Sequence, residues 1–331
     1  MLMKSAIRTI IATAALAGAM IAPGFAADPL KLTLGAMENG TVFWELEAMK
    51  ALELDKKHNL ELEVRPLADA KAGQIALQAG EVDVILSDFV YASIQRNSGN
   101  ELTFVPHSLA VGGLIVDPAA NITKIEDLKG KTLAISGSPV DKSYVILQAY
   151  YNSVTGTALA DDATVRFGAP PLINELITTG QAQASLNLWN WNARAKLAGK
   201  TELMSVWDML KALGVTEQPP LLGWLFSDKT AADKTAALTA FLDASFDTKA
   251  VLLSDDAIWD TIRPVMNVKD NDALFAQLRD DYRLGIVRGY DPNNISAAQQ
   301  SFELMAKYGG ADVVGDVPTM ADGTFWKGYS K

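Results

Sequence analysis

Cysteine is absent from all 331 residues, so no disulfide, thiolate nucleophile or cysteine-bound metal contributes to fold or function. Histidine occurs only twice: His58 lies in the charged turn "DKKHNL", where a solvent-facing ring is expected, and His107 lies in an extended stretch. No nucleophile-elbow, Walker or zinc-ligand spacing occurs. The segment "DPNNISAAQQSFE" from Asp291 has Ser296 where a calcium loop needs glycine and Phe302 where it needs a bidentate acid. Catalysis has few tools here, and no cofactor or metal is expected. Positive charge is also short: 29 Lys and Arg face 39 Asp and Glu, for a net −10. Such a surface repels phosphate backbones, which sets nucleic acid aside as a partner.

Long apolar runs are nearly missing too. The one candidate, from about Ile10 to Ile21, falls short of the ~20 residues that span a bilayer. It follows two cations, Lys4 and Arg8, and precedes Pro23 and the small residues of "GFAADP", which is the layout of a secretory signal peptide. Cleavage is expected after Ala26, with Ala27 as a near alternative, so residues 1–26 are assigned to the leader. Its removal takes two positive charges and gives −10 − 2 = −12. A soluble, periplasmic, monomeric protein is expected.

What is abundant is alternation. "LKLTLGA" (30–36), "LELEVRPL" (60–67) and "VDVILSD" (82–88) read as strands, separated by helical patterns at 43–57 and 70–80. A short helix, "FVYASIQRNSG", and an extended stretch over 102–118 follow. The pattern then restarts with strands at 127–137, 163–169 and 182–189 and helices at 143–156 and 171–181. After an extended piece at 219–228 the chain turns helical, over 230–254, 255–263, 269–284 and 295–307. Strands alternating with helices specify mostly parallel sheets flanked by helices. Two similar α/β units, the second inserted into the first, account for the pattern. Residues 27–116 with 225–331 are expected to form lobe 1 and 117–224 lobe 2, with the crossings at or near Asp117–Asn121 and Gly223–Ser227.

Four segments in order, "GAMENGTVFWELEAMKALEL", "ALQAGEVDVILSD", "ITKIEDLKGKTLAIS" and "LITTGQAQASLNLWNWNARAKL", resemble the solute-binding proteins of ABC importers. The resemblance is to the group handling nitrate, sulfonates, taurine and thiamine pyrimidine precursors, and covers roughly residues 30–230. It implies an α/β, two-lobed periplasmic binding protein fold of type II-like form, closing on one small-molecule ligand and passing it to an ABC permease in the inner membrane. A sensor subunit serving a membrane kinase is an alternative. A pyrimidine-precursor synthase on the same fold is another, although the cysteine-rich motif and histidines of those enzymes are missing.

Ligands of open parallel sheets sit beyond the carboxyl ends of the strands. The loops there are "MENGTVF", "SDF", "SGSPVDKS" and "NLWNWN". Glu38, Asn39, Thr41 and Trp44 are candidates from the first, and Ser87 and Asp88 from the second. The third offers Ser136, Ser138 and Asp141; the fourth offers Asn187, Trp189 and Trp191. Helix capping explains the aspartates and serines equally well, and core packing the tryptophans. Strand alternation would put Ala184, Leu186 and Leu188 in the core and turn Asn187 and Trp189 to the other face. Amides clustered around indoles suit a flat polar ligand. The four loops hold no arginine and only one cation, Lys142, against Glu38, Asp88 and Asp141, so a neutral or cationic ligand is favoured over an oxyanion.

Overall fold

The computed structural model describes residues 28–38 and 40–331. The leader and Asn39 lie outside the described residues. Two five-stranded sheets organise the described residues. The first comprises β1 (Leu30–Met37), β2 (Leu60–Leu67), β3 (Val84–Asp88), β4 (Leu102–Ser108) and β10 (Leu222–Ser227) in the order β2-β1-β3-β10-β4. The second comprises β5 (Gly113–Val116), β6 (Thr132–Ser136), β7 (Thr164–Gly168), β8 (Ala184–Asn187) and β9 (Thr201–Ser205) in the order β7-β6-β8-β5-β9.

Both sheets are mixed in the same way. β1 runs parallel to β2 and β3, and β6 parallel to β7 and β8. β10 is antiparallel to β3 and β4, just as β5 is to β8 and β9. Each reversed strand is the one that follows a passage from the other sheet. The inner strands are short apolar runs because helices cover both of their faces: all of β5, "GLIV", and all of β8, "ASLN", are buried.

The first lobe centres on Phe89, Phe104 and Phe325, which meet edge-on or tilted with centroids 5.2–6.1 Å apart, and on Trp224 against Phe241 at 4.9 Å. Burying an aromatic of this size stabilises by about 1.5–3 kcal/mol. The tail returns to the outer edge of β4, where Phe104 bridges Phe325 and the Trp326 N–H donates to the Phe104 carbonyl at 2.9 Å. Unpaired edge groups are thereby covered.

Several expectations change. The helix expected over 43–57 is two, Val42–Ala51 and Leu54–Lys57, because Glu53 adopts a left-handed φ of 53°. The extended stretch 102–118 is two strands in different sheets. The chain therefore crosses between Ser108 and Gly113, and again between Ala212 and Leu222. Asp117–Asn121 lies beyond β5, inside the second unit, while Gly223–Ser227 lies within β10 of the first. β9 and the helix Val206–Ala212 were not anticipated, although β9 completes the second sheet. Leu188, expected in the core, is 46% exposed, because the chain leaves the strand at Asn187 and Leu188 precedes the first turn of the helix Trp189–Leu197.

Candidate functional site

The first crossing leaves β4 at its carboxyl end and enters β5 beside the carboxyl end of β8, where Gly113 pairs with Asn187. The carboxyl edges of the two sheets thus border the same connection. Gly112 makes the passage possible: its φ is +115°, and a Cβ there would lie 2.1 Å from the Asn187 carbonyl oxygen. Only glycine fits both demands.

At this edge the lobes meet through aromatic rings. Trp44, in the first turns of Val42–Ala51, packs edge-on against Trp189 at 5.7 Å, and both contact Tyr282 of the helix Asp272–Leu284, at 5.8 and 6.0 Å. Trp44 is 4% exposed, Tyr282 is buried and Trp189 is half-buried. The Trp191 ring instead lies under the guanidinium of Arg194, 5.1 Å away on the same helix. Lys196 of that helix pairs with Asp281 at 3.0 Å.

Another ionic contact between lobes joins the loops after β3 and β6. Lys142, at the start of the helix Lys142–Thr155, reaches Asp88 at 3.1 Å. Asp88 also caps the helix Phe89–Asn97 by accepting the Tyr91 N–H at 2.8 Å. Asp141 caps the Lys142 helix through the N–H groups of Ser143 and Tyr144. Burial pushes the Asp141 carboxyl above the usual carboxylate range, while the charge of Asp88 raises the Lys142 ammonium.

The remaining candidates are less engaged. Glu38 and Ser138 are exposed, and Thr41 and Ser87 half-buried; Thr41 precedes its helix without a side-chain capping bond, and Ser87 pairs with Gly223 in the sheet. Ser136 is buried at the end of β6. Asn187, 6% exposed, donates to the Pro170 carbonyl at 3.0 Å and accepts the Leu188 N–H at 2.8 Å, so its amide is committed to holding the loop. Asn192 is 3% exposed and donates to the Gly113 carbonyl at 2.9 Å, while its own amide oxygen has no partner among the described residues.

Behind the aromatic contact lies a buried polar cluster that the sequence reading missed. Glu45, fully buried next to Trp44, accepts from Lys249 Nζ at 2.8 Å, Ser245 Oγ at 2.5 Å and Tyr282 OH at 3.3 Å. His107 Nδ1 sits 3.1 Å from Lys249 Nζ, and its ring lies 4.4 Å from that of Trp224. Burial, then the Lys249 charge, holds His107 well below its ordinary pKa, so the ring is neutral; burial also lowers Lys249 and raises Tyr282. Tyr282 joins this cluster to the aromatic contact, with its hydroxyl on Glu45 and its ring against Trp189. His58, expected to face solvent, is half-buried and bonded to Asp247 at 2.9 Å. Glu45 left one trace in the sequence, an acid flanked by apolar residues in "FWELEAM". Tyr282 left none.

A cavity of about 280 Å³ is lined by Leu213, Gly214 and Val215 of the second crossing with Gln300 and Lys307, and one of about 490 Å³ lies between Asp228–Thr235 and the tail at Gly323–Gly328; no candidate residue lines either.

A family model described as NMT1/THI5 like matches residues 56–254, more than half of the chain. No curated relative matches the chain in sequence. Among solved structures, the periplasmic aliphatic sulphonate binding protein SsuA from Escherichia coli is similar with a TM-score of 0.69 at 16% identity, covering 91% of this chain and 95% of its own. The alkanesulfonate-binding protein SsuA from Xanthomonas axonopodis pv. citri, bound to MOPS, gives 0.68 at 17% identity, with 91% and 99% covered. The periplasmic nitrate-binding protein NrtA from Synechocystis PCC 6803 gives 0.61 at 12% identity, with 86% and 82% covered. At these identities the likeness is one of fold.

Proposed function

Because the chain belongs to the NMT1/THI5-like family, we propose that it is the substrate-binding component of an ABC importer, taking a small polar organic solute between its lobes and delivering it to a membrane permease. The observation that carries this reading is the pairing of Trp44 with Trp189: two indoles from opposite lobes, on helices that begin at the carboxyl ends of facing sheets. In an open form the rings part and offer a ligand one indole face and one indole edge, set at 86° to each other. Two crossings at one edge, one of them through Gly112, supply the hinge that such closure needs. The sulphonate- and nitrate-binding proteins of the same fold support the receptor class. Site membership is proposed for Trp44, Trp189, Asp88 and Asp141, with Glu38, Thr41 and Ser138 at the rim. Ser87, Ser136 and Asn187 serve as their mounts. Periplasmic residence, with the leader removed, and a monomeric state complete the reading.

Enzymatic use of the fold finds less support, since His107 is buried and neutral and His58 is tied to Asp247. Native mass spectrometry of the gently purified protein tests the proposal directly. A co-purified small molecule whose removal expands the protein in small-angle scattering is the expected result. An identical scattering profile with and without saturating ligand overturns the closing receptor.

A further inference from the structure

Oxyanions are commonly held by free helix N–H groups and guanidinium forks; Val42–Ala51 and Trp189–Leu197 begin without a side-chain cap, while the other helix starts near this edge have committed their donors elsewhere. The helix Phe89–Asn97 is capped by the carboxylate of Asp88. Asp141 caps Lys142–Thr155 twice over, at 3.0 and 3.2 Å. The helix Pro170–Thr178 begins with two prolines, which carry no N–H. Arg194 donates to the Asn190 carbonyl at 2.6 Å and covers Trp191. Lys142, the one cation of the loops, is bound to Asp88.

At the Asp88–Lys142 contact the charges Asp88, Asp141 and Lys142 sum to −1, and at the other ion pair between lobes Lys196 stands against two acids, Asp281 at 3.0 Å and Glu202 at 3.7 Å. The Asp88–Lys142 pair is partly wetted, with side-chain exposures of 23% and 34%, and pairs of that kind are weak enough to exchange partners. Indole faces like those of Trp44 and Trp189 attract cations electrostatically. Resting on the receptor reading above, we propose that the ligand is a small organic cation, an amine or protonated N-heterocycle, which takes the place of the Lys142 ammonium on Asp88. Lys142 is left to the neighbouring Asp141, and two carboxylates then balance two cations. This sets the protein apart from structural relatives described as binding sulphonate and nitrate.

The experiment uses the mature full chain and a small-molecule extract of a bacterial culture, split by ion exchange into cationic, neutral and anionic fractions. Thermal shift is read with each fraction, and native mass spectrometry identifies the species retained. The cationic fraction is expected to raise the melting temperature. Asp88→Asn, which keeps a capping side chain, should weaken binding of the identified cation at least about tenfold, a loss of roughly 1.4 kcal/mol. Lys142→Met, which removes the competing ammonium, should tighten it. Stabilisation by the neutral or anionic fraction instead, or a cation bound equally well by Asp88→Asn, overturns the inference and leaves the receptor standing. A protein that no fraction stabilises overturns the receptor reading itself.

Discussion

Replacing Trp189 with alanine separates a ligand wall from a core residue. In the closed arrangement Trp189 makes two edge contacts across the lobes, with Trp44 at 5.7 Å and Tyr282 at 6.0 Å. Contacts of this kind contribute roughly 0.5–1.5 kcal/mol each beyond area burial, so a ligand that takes their place against the Trp189 ring loses ~1–3 kcal/mol in the variant. At about 1.4 kcal/mol per decade, that lowers ligand affinity about 5- to 150-fold. The isolated lobes lose little, because Trp189 is only half-buried even here. Trp44, a proposed wall of the site, is at 4% exposure a core residue as well. Its truncation opens a cavity costing about 3–5 kcal/mol, which lowers the melting temperature by on the order of 10 °C. Calorimetry on ligand-stripped protein gives the melting temperatures, and titration with the co-purified molecule gives the affinities. Trp189→Ala should melt within a few degrees of the parent and bind poorly. If it instead melts as low as Trp44→Ala and binds as tightly as the parent, Trp189 is core and the site assignment fails.

Four further outcomes are expected. Lys249→Met leaves Glu45 buried without its cation and should cost about 3–5 kcal/mol in urea denaturation, most of it recovered in the double variant Glu45→Gln, Lys249→Met. His107 has a depressed pKa in the folded state, so only the unfolded chain takes up its proton as pH falls below about 6.5. Stability should therefore decline from that pH downward, and the decline in urea midpoint should shrink in His107→Asn. Gly112→Ala places a Cβ against the Asn187 carbonyl at a φ that side chains resist, and should lower the melting temperature and blunt the compaction seen by small-angle scattering. Export should leave a mature chain starting at Ala27 or Asp28, read by N-terminal sequencing of periplasmic material; uncleaved chain in the membrane would refute it.

Periodicity made the parallel strands and their helices readable, because burial on both faces writes continuous apolar runs such as "VDVILSD" and "TLAIS" into the chain. It hid the crossing. "LTFVPHSLAVGGLIV" is extended throughout, and only the Gly112–Gly113 doublet marks where the chain changes sheets. The candidate loops were legible because a strand's end is a local event. Their charges could be counted, although the pairing of Asp88 with Lys142 could not, since those residues lie 54 positions apart. The cluster around Glu45 gathers groups from four distant helices and strands, including Ser245, Lys249 and His107. No local pattern specifies such a partnership. Leu188 misled for a related reason: alternation holds only while the strand lasts.

The position of β10 sets an order of assembly. The second sheet is complete within residues 113–205, whereas the first holds a vacant place between β3 and β4 until residues 222–227 emerge. Its outer edge stays bare until Phe325 arrives. Domains fold as units while the ribosome proceeds from the N-terminus, yet here the earliest-made lobe is the last that can lock. For most of its synthesis the chain cannot complete the half that carries its N-terminus. A nascent polypeptide in that condition is still threadable, which is the state in which a translocation pore accepts a chain.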